Sequence, residues 1–111
     1  MIDGIYHVRF SSSTQDFGEG LVTFKDGSVN GGDQGYLYQG KVGSSKNEIS
    51  GKLLIKRWNS SVTSVFGNMQ QFELELAGLQ SSDRSFQISG NVAGQPNLKI
   101  SIAGRFLSEL A

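Results

Sequence analysis

A chain of 111 residues with 15 glycines, one proline and no cysteine has the length of one domain and can bury about two-thirds of its unfolded surface. Ten Lys plus Arg balance ten Asp plus Glu with no long run of either sign, so no field draws in nucleic acid or an anionic membrane. The lack of cysteine excludes disulfides and thiolate zinc sites. No stretch approaches the roughly 20 apolar residues of a spanning helix, and the opening MIDGIYHVRF lacks the basic and apolar regions of a signal peptide. The expectation is one domain over residues 1–111, soluble and cytoplasmic.

The dominant period is two. Tyr6, Val8 and Phe10 alternate with His7 and Arg9, as in a strand with one buried face. After a polar stretch from Ser11 to Asp16, Gly20, Val22 and Phe24 alternate with Leu21, Thr23 and Lys25. Asp26-Gly27 then suits a tight hairpin, because glycine tolerates positive φ. A short strand around Ser28 to Asn30 ends at Gly31-Gly32-Asp33. Tyr36, Tyr38, Gly40 and Val42 follow, alternating with Leu37, Gln39 and Lys41. Gly43 to Asn47 reads as a polar turn, and Ile49, Gly51, Leu53 and Ile55 as one face of a fifth strand reaching about Trp58.

Residues 59–69, NSSVTSVFGNM, have no clean period but carry the apolar anchors Val62, Val65 and Phe66. They predict a longer connection able to close one barrel end. Three further strands are set by Phe72, Leu74 and Leu76; by Phe86, Ile88, Gly90 and Val92; and by Ile100, Ile102 and Gly104.

Eight short strands with short turns and no helix predict an all-β fold, a small closed eight-stranded antiparallel up-and-down barrel. An open two-sheet sandwich has the same alternation and is the alternative. Gly20, Gly40, Gly51, Gly90 and Gly104 are read as sites of the bulges and sharp coiling that close a small barrel.

The catalytic and metal patterns are weak. Gly18-Glu19-Gly20 lacks the third glycine and the helix of a phosphate loop. His7 is the only histidine and falls on the face opposite Tyr6, so an enzyme ranks third among the functions considered, with no catalytic residue assigned. Asp16, Glu19, Asp26 and Asp33 have no calcium-loop spacing, and neither a metal nor a cofactor is expected. Glu73 and Glu75 share one strand face, as solvated residues do. Tyr36 and Tyr38 near Lys41 and Lys52 form only a weak candidate surface for single-stranded nucleic acid, given the neutral charge.

More informative are Leu37, Leu54 and Trp58, which period two turns away from the main apolar set. With Ile5 they make a candidate apolar patch for a homodimer or protein partner. The competing reading tucks some of them under the 59–69 loop.

The strings DGIYHVRF, GEGLVTFKDG, GGDQGYLYQGKV and the ending GRFLSEL resemble the GrlR-like family of negative regulators of type III secretion, in order and spacing over nearly the whole chain. The resemblance implies a lipocalin-type, calycin-like barrel in a bacterial cytoplasm. It also implies homodimers formed through barrel surfaces and direct restraint of a transcriptional activator. In the family's best-known regulator a run of acidic residues follows the YQG strand and engages the activator. Here that turn reads Ser44-Ser45-Lys46-Asn47-Glu48, with Lys46 reversing the local sign, so complementarity to a basic partner is largely lost.

The leading expectation is a non-enzymatic regulator or adaptor that binds a protein through its outer wall. The runner-up is a carrier or sensor of a lipid or other apolar small molecule, held among Tyr6, Phe10, Phe24, Tyr38, Phe72 and Phe86.

Overall fold

A computed structural model describes residues 1–13, 17–67 and 69–111. Its strands are β1 (Gly4–Ser12), β2 (Phe17–Lys25), β3 (Ser28–Gly32), β4 (Tyr36–Ser45), β5 (Glu48–Arg57), β6 (Gln71–Ser82), β7 (Ser85–Val92) and β8 (Gln95–Ser108). Each pairs antiparallel with the next, and β8 returns to β1, closing the barrel. The barrel, and not the open sandwich, is the fold.

Alternation sets the inside. Along β6, Phe72, Leu74 and Leu76 are buried while Glu73 and Glu75 are exposed, and the same period places Tyr6, Val22, Val29, Tyr36, Tyr38, Leu53, Ile88 and Ile102 in one core. Burial of this set is the main stabilising term, at about 25 cal/mol per Å² of apolar surface removed from water. At one end the rings of Tyr6, Phe86 and Phe106 meet, Tyr6 and Phe106 edge to face at 5.7 Å.

The Asp26-Gly27 hairpin forms as expected, both residues having positive φ (50° and 83°). Elsewhere the strands outrun the turn residues. β4 continues through Gly43, Ser44 and Ser45, leaving only Lys46 and Asn47 in the turn, both with positive φ. Ladder hydrogen bonds outweigh the low strand propensity of Gly and Ser here. β1 likewise takes in Ser11 and Ser12, β3 extends to Gly32, and β8 begins at Gln95. Of the rest of the predicted polar stretch, Ser13 lies in a turn and Thr14 to Asp16 lie outside the described residues.

The bulge part of the glycine reading is corrected. The register shifts lie at Ile5/Tyr6, Gln80/Ser82 and Asn91/Val92, and none falls at Gly20, Gly40, Gly51, Gly90 or Gly104. These glycines instead allow close approach. A Cβ on Gly40 would stand 2.1 Å from the Lys52 carbonyl oxygen, and one on Gly104 would stand 2.1 Å from Cζ of Phe86.

Gly104→Ala is therefore expected to lower stability by about 1–3 kcal/mol through overpacking. Gly43→Ala, whose added Cβ meets nothing within 4 Å, should stay within about 0.5 kcal/mol of the parent. Urea unfolding of both variants checks the contrast.

Candidate functional site

Two places are candidates, and they lie on opposite faces of the same strands. The first is the barrel interior. A cavity of about 170 Å³ lies among Tyr6, Phe10, Phe24, Tyr38, Phe72 and Phe86, with aliphatic side chains between them. Phe10 and Phe24 are only partly buried, and Phe10 packs edge to face on Tyr38 at 6.2 Å.

The connection between β5 and β6 lies across the mouth of this cavity. Ser12, buried at the end of β1, donates from Oγ to the Val65 carbonyl at 2.8 Å. Phe66 packs edge to face on Phe72 at 5.8 Å, and Val62 occupies the space that a side chain on Gly35 would take. The apolar anchors thus hold the loop as a plug; Asn68 lies outside the described residues.

A polar group also lines the cavity. Asp33 follows Gly31-Gly32, and its Oδ1 accepts the backbone N–H groups of Gly35 and Tyr36 at 2.8 Å each. This is the local closure that aspartate favours in turns. Oδ2 accepts the Tyr38 hydroxyl. Burial first, and then the hydrogen bond to Asp33 and its charge, hold the Tyr38 hydroxyl far above the ordinary phenol value of 10.0. Gly20 makes room for this pair, since a Cβ there would approach the Tyr38 hydroxyl to 3.1 Å.

The second place is the outer wall. Leu37 and Trp58 are 42% and 56% exposed, whereas Ile5 and Leu54 are half-buried. The β5–β6 loop does not cover Leu37, which pairs across β3 with Gly32 and across β5 with Lys56. Trp58 keeps its indole N–H on the Asp33 carbonyl at 3.1 Å. Leu21, 50% exposed, lies on the far side of Gly32, so Leu21, Gly32 and Leu37 form an apolar row across β2, β3 and β4.

The remaining candidates are dispersed. Ser44, Ser45, Lys46, Asn47 and Glu48 are all exposed at the end of the β4–β5 hairpin, opposite the plug. Asn47 is tied to β6, its carbonyl accepting the Gln80 N–H at 2.9 Å. Tyr36 and Tyr38 are 3% and 7% exposed, so their rings form no stacking surface. His7 Nε2 and Glu19 Oε2 lie 2.9 Å apart on the outer wall and not in a cleft. Among the four acids considered for a metal, Asp16 lies outside the described residues.

A family model described as type III secretion system negative regulator, GrlR, matches residues 1–110. The chain belongs to the GrlR family. Comparison with curated proteins gives no match. Family membership implies negative regulation of type III secretion, and no helix among the described residues is long and apolar enough to cross a membrane.

Against this GrlR-family background, sequence reasoning missed two groups. Leu21 was within reach, because the alternation that turns Leu37 outward also turns Leu21 outward; only the β2–β3–β4 register shows that they flank Gly32. Asp33 carried a weaker signal, an aspartate ahead of a strand, and its tie to Tyr38 depends on how the turn folds over the barrel mouth.

A tyrosine pKa raised by folding contributes stability that is complete below about pH 10, its unfolded value, and is lost as pH rises through the folded value. The parent is expected to lose stability above pH 10, and Tyr38→Phe to flatten that decline while Tyr6, also raised by burial, still contributes. Urea midpoints measured from pH 8 to 11 check the sign.

Proposed function

We propose that this GrlR-family chain is a non-enzymatic adaptor that restrains type III secretion by binding protein on the outer wall of its barrel. The observation that carries the reading is the apolar row Leu21, Gly32 and Leu37, extended by Trp58, which is contiguous across three strands, whereas Phe17, Leu79 and Leu107 are exposed elsewhere on the barrel. Exposed apolar surface of this kind marks association sites. The occupant proposed for it is a second copy of the chain, in line with the dimers that the family resemblance implies. Ile5 and Leu54 would sit at its margin.

The protein restrained is proposed to be a transcriptional activator, and the turn Ser44–Glu48 is the proposed contact. With Lys46 and Glu48 as its two charged residues, this turn suits a partner recognised by hydrogen bonds and shape more than by charge. The setting proposed is the bacterial cytoplasm.

The cavity supports a second reading, in which the barrel holds an apolar small molecule or lipid segment. Its wall is almost wholly aromatic and aliphatic, as in ligand pockets generally.

Sedimentation velocity checks the first reading. The parent is expected to run as a pair of chains. Leu37→Lys, which leaves the buried core untouched, should weaken pairing tenfold or more, as loss of a central anchor does, with Leu21→Lys acting alike. A parent that stays monomeric at all concentrations overturns the dimer.

A further inference from the structure

The polar groups of the cavity carry information that its apolar wall does not. Tyr38 spends its hydroxyl proton on Asp33, and Tyr36 donates to the Met69 carbonyl at 2.5 Å. Ser64 donates to the Gly67 carbonyl at 3.0 Å, and Tyr6 to the Ile2 carbonyl at 2.6 Å. Each tyrosine or serine hydroxyl lining the cavity thus already has a protein acceptor. Thr63 and Gln34 are exposed at the rim, the lining includes no Lys or Arg among the described residues, and the ammonium of Met1, also a lining residue, donates to Gln80 Oε1 at 2.5 Å. Glu19, also at the rim, is turned outward to His7.

Acceptors are what remain. A carboxylate has about four lone-pair sites, and Asp33 uses three, on Gly35, Tyr36 and Tyr38. The Tyr38 oxygen keeps its own lone pairs. A guest with a donor completes this group, whereas a guest carboxylate beside Asp33 meets like charge and a Tyr38 hydroxyl whose proton is already committed. Size adds a limit: an apolar cavity of about 150 Å³ in another protein holds a benzene, close to the roughly 170 Å³ here.

We propose that the cavity binds a compact apolar molecule, about one aromatic ring in size, whose polar end donates a hydrogen bond to Asp33 and Tyr38, and that it rejects carboxylates. The proposal rests on the second reading above, in which the barrel holds a small molecule. A phenol hydroxyl and an ammonium group share the required chemistry. Fatty-acid anions do not, although the wall is apolar enough for their chains. Selectivity lies in Asp33, because it consumes the Tyr38 donor and places a negative charge at the mouth.

Three ring-sized probes test it on the full chain: p-cresol, benzylammonium and benzoate, each titrated while backbone amide resonances are recorded. p-Cresol and benzylammonium are expected to shift the amides of β4 around Tyr38 and to bind roughly tenfold or more tightly than benzoate, which leaves buried acceptors unpaired. Asp33→Asn keeps the turn's acceptor, offers its amide N–H to the Tyr38 oxygen and releases the Tyr38 proton. Benzoate should then gain and benzylammonium lose. Tyr38→Phe leaves the carboxylate in place and should keep benzoate excluded, which provides a second check should the Asn variant not fold. Benzoate binding as tightly as p-cresol, unaltered by either variant, overturns the donor rule and leaves the small-molecule reading standing. No shift with any probe removes that reading and this proposal together.

Discussion

Pairing of β8 with β1 is the contact on which the rest of the molecule depends. It runs from Ile5 opposite Ser108 to Ser12 opposite Ile100. Without it both strands would be open edges, and the period-two pattern would describe a sheet with an uncovered apolar face. Closure turns that face wholly inward. It also makes inside and outside properties of residue parity, so that Leu37 and Tyr38, neighbours in β4, belong to different environments.

Small barrels have little room, and the glycines reflect it. Gly104 lies beneath the Phe86 ring and Gly40 against the β5 backbone, where an ordinary side chain would push strands apart. The residual space is a cavity, because rings that must avoid one another cannot fill a tapering interior completely. A plug of hydrogen-bonded and apolar contacts then lies across the mouth, from Ser12 on Val65 to Phe66 on Phe72. The Asp33–Tyr38 pair behind it is tolerated because the carboxylate accepts three hydrogen bonds, the condition on which buried polar groups persist.

Membership of the GrlR family ties this barrel to negative regulation of type III secretion. The wall and the interior are joined at β4 and at the Asp33 turn, since the Trp58 indole bonds the backbone of the residue whose side chain holds Tyr38.

The eight strands, the all-β class, the Asp26-Gly27 hairpin and the apolar plug were legible in the chain, because period two and turn chemistry are local and each strand reports its own buried face. Strand ends were less so: Ser44, Ser45 and Gln95 have no strand preference of their own and are held by their ladder partners across tight hairpins, Ile49, Glu48 and Val92. Closure was expected from strand count and short turns, although alternation alone could not separate it from a sandwich; the row made by Leu21, Gly32 and Leu37 and the bond from Tyr38 to Asp33 were decided by tertiary structure alone. Each depends on register between strands, which brings together residues that local pattern cannot relate.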